Sequence, residues 1–144
     1  MVGNVETGDG LEGRTFDAIV GVSVLHHVNL ELTLRHTFAL LRPGGRFAFS
    51  EPNLANPQVW AERRIGVVRR LRHATAHETA FTAGGLRRSL EAAGLRVEVC
   101  EPFEFLHPAT PRALIAAVTG VERVLEATPL RAVAGSIRVA GWRR

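Results

Sequence analysis

Lysine is absent from this chain of 144 residues, and cysteine occurs only once. The single cysteine, Cys100, excludes an internal disulfide bond and fits a reducing compartment, so we expect a cytoplasmic protein. No hydrophobic run approaches the roughly 20 residues that a membrane-spanning helix needs. The polar, acidic N-terminal segment lacks the pattern of a signal peptide. The sequence therefore predicts neither a disulfide scaffold nor a membrane-spanning protein.

Because lysine is missing, all 18 basic residues are arginine, set against 14 acidic residues. We attribute this bias to coding composition rather than to a partner. Five arginines nevertheless cluster with no acidic residue between them: Arg63, Arg64, Arg69, Arg70 and Arg72. Such a cluster suits either an anionic partner or the solvated face of a helix. No aromatic residues interleave with the arginines, so we favour the helix face and expect no nucleic-acid partner.

The composition, 46% hydrophobic and 22% charged, is typical of a folded globular chain. Residues 17–22 form a short apolar run rich in β-branched residues, which predicts a strand buried on both faces. Asn29 then caps a helix, and the Pro-Gly-Gly sequence at 43–45 ends it. A second strand follows at 46–50. Two strands joined by a crossover helix predict a parallel βαβ unit, and the predicted helix has one apolar stripe: Leu30, Leu34, Phe38 and Leu41.

The remaining elements are predicted from caps and periodicity. Residues 4–7 read as the end of a strand that turns at 8–10, and Asn56 with Pro57 opens a helix. Thr82 opens another helix, closed by Gly94, and alternation predicts strands at 95–99 and 133–142. A further helix starts at Thr110 with a predicted buried side formed by Leu114, Ile115, Val118, Val121 and Leu125.

Three stretches together resemble the class I S-adenosylmethionine-dependent methyltransferases, of the type 11/12-like group. They are FDAIVGVSVLHHV at 16–28, LRPGGRFAFSEPN at 41–53 and HETAFTAGGLRRSLEAAGLRVEV at 77–99. The resemblance implies an α/β, Rossmann-like sheet, mostly parallel, with an antiparallel last strand inserted between the fifth and sixth. The family's first strands and its Gly-x-Gly-x-Gly loop have no counterpart here. Residues 1–144 are therefore expected to form one partial domain, the C-terminal part of the fold.

The resemblance also implies a cofactor, S-adenosylmethionine, and residues that would serve it. Asp9 and Gly10 are expected near the adenine, although Asp9 equally suits a plain turn. Ser23, Leu25 and His26 follow the strand predicted at 17–22 and are expected to contact the cofactor. By the same resemblance His27 faces the reaction centre. Glu51 ends the strand predicted at 46–50 and so lies at the carboxyl edge, where it is placed to orient an acceptor hydroxyl or amine. These two are the candidate catalytic residues. The alternatives stay open: His27 as a residue that packs the next helix, and Glu51 as a turn carboxylate.

Other chemistries have little support. His26 and His27 are adjacent, so their side chains diverge, and no ligand cluster at the usual spacing accompanies them, so we expect no metal. Ser23 lacks a Gly-x-Ser-x-Gly elbow, and no Gly-x-Gly-x-x-Gly suggests a nicotinamide enzyme.

We expect methyl transfer to a small-molecule or lipid-like acceptor, in a pocket covered by the helical region after Pro52 and by PFEFLHPATP at 102–111. The alternative is a non-catalytic module. The strand predicted at 17–22, which corresponds to the family's fourth, would have an unpaired edge that pairs with a partner chain or with a second copy in a homo-oligomer.

Overall fold

A computed structural model describes residues 2–64, 80–106 and 110–144 of the chain. The described residues form four strands and four α-helices. The strands are β1 (Phe16–Val22), β2 (Leu41–Pro52), β3 (Leu95–Phe103) and β4 (Ser136–Arg143). The α-helices are α1 (Leu30–Leu40), α2 (Pro57–Arg64), α3 (Ala83–Ala92) and α4 (Ile115–Glu126). Short 3-10 helices occupy Leu25–His27, Arg112–Leu114 and Pro129–Val133.

The four strands form one sheet in the order β1-β2-β4-β3. β1 and β2 are parallel, and β4 runs antiparallel to both β2 and β3. This confirms the predicted α/β sheet with an antiparallel last strand inserted between its neighbours. Gly141 in β4 is required there, because a Cβ atom would lie 1.9 Å from the carbonyl oxygen of Arg96 in β3.

One face of the sheet is covered by α1 and α3, and the core lies between these helices and the sheet. Leucines from the helices interleave with alternate residues of the strands, as the periods of helix and strand require. The buried cluster contains Leu25, Leu34, Leu41, Phe47, Phe49, Leu86, Leu90, Leu95, Val97, Ile137 and Val139.

The opposite face of β1 is open, so the prediction of a strand buried on both faces was wrong. Val20 is 77% exposed and Val22 is 74% exposed. Ile19, which points to the other face, packs against the core. In the described part of the chain β1 pairs only with β2. A run of β-branched residues shows that a strand is favoured, but not whether anything covers its second face.

The caps predicted for α1 and α3 are confirmed. The side chain of Asn29 accepts a hydrogen bond from the backbone N–H of Leu32, and Thr82 accepts one from Gly85. Gly94 follows α3 with φ of +89°, as an αL cap requires. The end of α1 was misplaced: the helix stops at Leu40, and residues 43–45 bulge within β2, where Phe16 pairs with Leu41 but Ala18 with Arg46.

Other predicted boundaries also need correction. Residues 4–7 form a turn rather than a strand, because the Asn4 side chain accepts the backbone N–H groups of Glu6 and Thr7. The final strand begins at Ser136, since Val133 belongs to a 3-10 helix. Most of the predicted buried side of α4 is exposed, at Leu114, Ile115 and Val121, while Val118 and Leu125 are half-buried.

Two further predictions concern Cys100 and the arginine cluster. Cys100 lies in β3, where its thiol donates to the carbonyl oxygen of Ala83, and burial raises the pKa of the thiol above its ordinary value. It is partly buried and packs against the core. Of the arginine cluster, Arg63 and Arg64 end α2, whereas Arg69, Arg70 and Arg72 lie outside the described residues. No helix in the described ranges combines the length and apolarity needed to cross a membrane.

Candidate functional site at the carboxyl edge of the sheet

The carboxyl ends of β1 and β2 lie side by side because the two strands are parallel and in register. Ladder pairing continues past the end of β1, where the backbone N–H of Ser23 donates to the carbonyl oxygen of Ser50 at 2.8 Å. Ser23 adopts φ of +55°, a left-handed conformation that is uncommon for a serine. The chain therefore turns sharply out of β1 and presents Ser23 at the surface.

Glu51 lies under this turn. Its Oε1 atom accepts the backbone N–H groups of Val24 at 2.9 Å and Leu25 at 2.7 Å. Its Oε2 atom lies 2.7 Å from Nδ1 of His26, and the Glu51 side chain is 0% exposed. Since three polar groups surround it, the carboxylate is satisfied despite its burial. Glu51 therefore points into the protein rather than outward from the edge.

The two adjacent histidines occupy different environments. His26 is buried and His27 is exposed. Their rings are nevertheless in contact, with centroids 3.9 Å apart and planes inclined by 40°, so the expectation that the two adjacent side chains diverge was wrong. The structure thus brings together Ser23, Leu25, His26, His27 and Glu51, as the sequence predicted, but with Leu25, His26 and Glu51 buried beneath the surface.

Asp9 and Gly10 lie on a separate turn. The Asp9 carboxylate accepts from the Thr7 hydroxyl at 2.7 Å, and the backbone N–H of Gly10 donates to Glu12. This N-terminal segment is attached to α1, where Nδ1 of His36 lies 3.1 Å from the carbonyl oxygen of Val5. The described hydrogen bonds of Asp9 and Gly10 stay within residues 4–12, so neither residue joins the Ser23–Glu51 group directly.

A cleft of about 300 Å³ opens at the same edge of the sheet. Its floor is formed where β1 and β2 end and β4 begins, and its walls are α2 and the segment 104–106, which we call the strap. The lining residues are Ser23, Pro52, Asn56, Gln58, Val59, Glu62, Arg63, Glu104, Phe105, Leu106, Gly135 and Ser136. Both apolar and charged groups therefore face this space.

The strap is held by two carboxylates of α4. Oε1 of Glu122 accepts the backbone N–H groups of Phe105 at 2.5 Å and Leu106 at 3.4 Å. Oε1 of Glu126 accepts the N–H of Glu104 at 2.8 Å. Sequence reasoning missed both residues, because acidic residues four apart on a helix are usually solvent-facing.

Backbone strain is concentrated around the cleft. Ser23 and Glu104 are the non-glycine residues with positive φ in the described ranges, and both line it. Glu104 is fixed through its carbonyl oxygen, which accepts from Gly135 at 2.7 Å, and through its carboxylate, which accepts from Ser136. Such conformations persist only where surrounding contacts enforce them, and they tend to cluster at functional sites.

Asn53 is a third residue that sequence reasoning missed. It is 1% exposed, and its side-chain amide donates to the carbonyl oxygens of Ala132 at 3.0 Å and Ala134 at 2.8 Å. Its side-chain oxygen accepts from the backbone of Ala55. Asn53 therefore joins the end of β2 to the segment before β4 and fixes the floor of the cleft. Within the same described ranges, no group of three His, Cys, Asp or Glu residues could hold a metal ion.

Comparison with known proteins identifies the family. A family model described as a methyltransferase domain matches residues 4–99. Among solved structures, a Thermotoga maritima SAM-dependent methyltransferase aligns with a TM-score of 0.65 and 13% identity, covering 91% of this chain and 57% of that one. A Haloferax volcanii methyltransferase, solved with the Trm112 methyltransferase activator, aligns with a TM-score of 0.63 and 17% identity. The alignment covers 99% of this chain and 59% of that one. No curated protein sequence gave a match.

A third structure is the N-methyltransferase NodS from Bradyrhizobium japonicum, solved with S-adenosyl-L-homocysteine. It aligns with a TM-score of 0.51 and 13% identity, covering 91% of this chain and 47% of that one. The chain therefore spans less than two thirds of the length of each of these structures. At such identities the structures establish the fold, and the matched model covers most of the chain. The chain belongs to the methyltransferase domain family and has the fold of the class I S-adenosylmethionine-dependent enzymes.

Proposed function

We propose that this chain is part of an S-adenosylmethionine-dependent methyltransferase that acts on a small-molecule or lipid-like acceptor. The observation that carries the proposal is the cleft at the carboxyl edge, where ligands bind in open α/β sheets. Its volume of about 300 Å³ lies at the lower end of the range for small-molecule sites. Val59, Phe105 and Leu106 give it an apolar wall that suits an organic acceptor rather than a nucleic acid.

S-adenosylmethionine would supply a methyl group on a positively charged sulfonium, so the protein's task is to position the reactants and exclude water. The residues after β1 fit one side of such a cofactor, because Ser23 and His27 are exposed at the edge. Leu25 and His26 have buried side chains, so their contribution would come from backbone atoms. Asp9 and Gly10 remain candidates for the adenine end, on an exposed turn.

His27 is the better candidate for an acceptor base. A base must reach the proton that it removes, and His27 is exposed at the edge beside Ser23. The Glu51 carboxylate is enclosed and already accepts backbone N–H groups, which argues against direct contact with an acceptor.

The test is a calorimetric titration of the folded 144-residue chain with S-adenosylmethionine. Saturable binding that weakens in Asp9→Ala but not in Glu31→Ala would support the assignment. Glu31 is a suitable control because its side chain is 75% exposed and pairs only with Arg35 on the same helix in the described contacts. A folded chain that binds no cofactor would refute the claim that it forms a cofactor site by itself.

We also propose a second candidate, a non-catalytic module that associates through β1. The observation favouring it is the open edge and bare face of that strand, with Val20 and Val22 exposed. Exposed apolar edge strands tend to pair with other chains. Light scattering should then show a homo-oligomer, or a complex with a partner chain, that Val20→Arg weakens. The control is Val124→Arg on α4, where Val124 is 64% exposed, and a monomer at all concentrations would exclude self-association.

A further inference from the structure

Glu51 and His26 form a buried polar pair at the point where β2 supports the turn after β1. The side chain of Glu51 is 0% exposed and that of His26 is 5% exposed. Their contact, Oε2 to Nδ1 at 2.7 Å, is as short as a charge-assisted hydrogen bond. Groups of this kind are costly to bury unless every contact is used, so the arrangement requires a reason.

The first reason lies in the backbone of the turn. The 3-10 helix Leu25–His27 begins at Val24, whose side chain cannot cap it. Helix starts leave backbone N–H groups without partners. Glu51 supplies the missing acceptor from the neighbouring strand, by accepting from both Val24 and Leu25. A negative charge is also favourable at the N-terminal end of a helical turn.

The second reason lies in the ring of His26. With one carboxylate oxygen occupied by the two backbone groups, the other is directed at Nδ1. A carboxylate acceptor requires the proton on Nδ1, which fixes the tautomer and the plane of the ring. The ring of His27 lies against this fixed surface, with centroids 3.9 Å apart. An exposed side chain would otherwise sample several rotamers.

We infer that Glu51 is a positioning residue which, through His26, fixes the ring of His27 at the carboxyl edge of the sheet. The importance of His27 rests on the proposed function, whereas the positioning itself rests only on the contacts above. The inference predicts a coupling from Glu51 to His27, two residues that share no described contact. A simple capping role for Glu51 would stabilise the turn without affecting the ring of His27.

The first experiment uses the unaltered chain. Two-bond ¹H–¹⁵N correlation spectra distinguish the tautomers of each histidine. We expect His26 to carry its proton on Nδ1, with slow exchange because the residue is buried. A neutral His26 protonated only on Nε2 would overturn the inference without any variant. No cofactor is needed, so this result is independent of whether the titration with S-adenosylmethionine succeeds.

The second experiment uses Glu51→Gln. Glutamine keeps an oxygen for the backbone N–H groups but can present its NH₂ group to Nδ1 of His26. We expect His26 to change to the Nε2–H tautomer and the ring-proton shifts of His27 to move, whereas Glu31→Gln changes neither. Unchanged His27 resonances in a folded Glu51→Gln variant would refute the coupling.

The third experiment, His26→Asn, covers the case in which Glu51→Gln fails to fold. The asparagine amide can occupy the place of Nδ1–H and still donate to Glu51, while removing the ring that supports His27. The turn should therefore remain folded, and the His27 shifts should approach those of a histidine in a short peptide. Retention of the wild-type His27 shifts would show that His26 does not position that ring.

Discussion

The part of the strap formed by Phe105 and Leu106 should open when Glu122, one of its two anchors on α4, is removed, while Glu126 still holds Glu104. In Glu122→Ala, the N–H groups of Phe105 and Leu106 lose the carboxylate that accepts them. Phe105 and Leu106 both line the cleft. The change thus alters a wall of the candidate site without replacing any residue that lines it.

The magnitude follows from the two contacts. The hydrogen bond to Phe105 is short, at 2.5 Å. The one to Leu106, at 3.4 Å, is long and contributes little to the free energy that holds the strap. One hydrogen bond to a charged group contributes about 1.5–3 kcal/mol, and partial exposure here favours the lower end. A loss of about 1.4 kcal/mol raises the population of the open strap roughly tenfold, and opening of a surface segment leaves global stability nearly unchanged.

Hydrogen exchange of the Phe105 amide measures this opening directly. We expect exchange about tenfold faster in Glu122→Ala, and about threefold faster in Glu122→Gln, which keeps a neutral acceptor. The control is Glu31→Ala, on the exposed face of α1, with no expected change at Phe105. Equal exchange in Glu122→Ala and wild type, or an equal increase in the control, would show that the carboxylate does not hold the strap.

Three further predictions concern stability. Gly94→Ala should lower the free energy of unfolding by about 1–2 kcal/mol, because φ is +89° and the new Cβ would lie 3.0 Å from the Phe38 ring. Gly120 lies in α4 with open space around it, so Gly120→Ala should instead stabilise that helix by about 0.5–1 kcal/mol. Thermal melts measure both changes. Hydrogen bonds, first from Arg138, hold the pKa of Glu101 below its ordinary value. The stabilisation by Glu101 is therefore present above the ordinary carboxyl pKa and lost as the pH falls through the lowered pKa. Glu101→Gln should therefore be less stable than wild type at neutral pH and show a flatter acid-unfolding profile by circular dichroism, and parallel profiles would contradict this.

Those parts of the fold that depend on neighbouring residues in sequence could be predicted. The caps at Asn29 and Thr82 and the left-handed Gly94 are local features, and the structure confirms the predicted position of each. The order of the strands followed from the family resemblance, which already fixes the topology. The bulge at residues 43–45 was not predicted, because a Pro-Gly-Gly sequence suits a helix end and a strand bulge equally.

Burial could not be predicted in the same way. Four apolar residues at regular spacing are exposed: Val20 and Val22 on β1, Leu114 just before α4, and Val121 on α4. Periodicity identifies the face of an element that prefers to be covered. It does not identify what covers it, because that depends on segments far away in sequence.

The site was predicted at the level of the sheet edge but not of single atoms. Parallel strands required Ser23, His27 and Glu51 to meet at one end, and they do. Which of the two histidines turns inward depends on the 3-10 turn, and that turn depends on Glu51. Neither the turn nor its acceptor leaves a signal that can be read from residues 23–27 alone.

The turn after β1 and the strap use the same physical device. Each contains a residue in a left-handed conformation, Ser23 or Glu104, and consecutive backbone N–H groups that face inward. In each, a carboxylate from a different element accepts those groups: Glu51 lies 26 residues from Leu25, and Glu122 lies 17 residues from Phe105. Strained loops lose their shape unless distant contacts enforce it. The shape of the cleft is therefore determined by carboxylates that do not line it, so substitutions at Glu51 and Glu122 should affect its two sides independently.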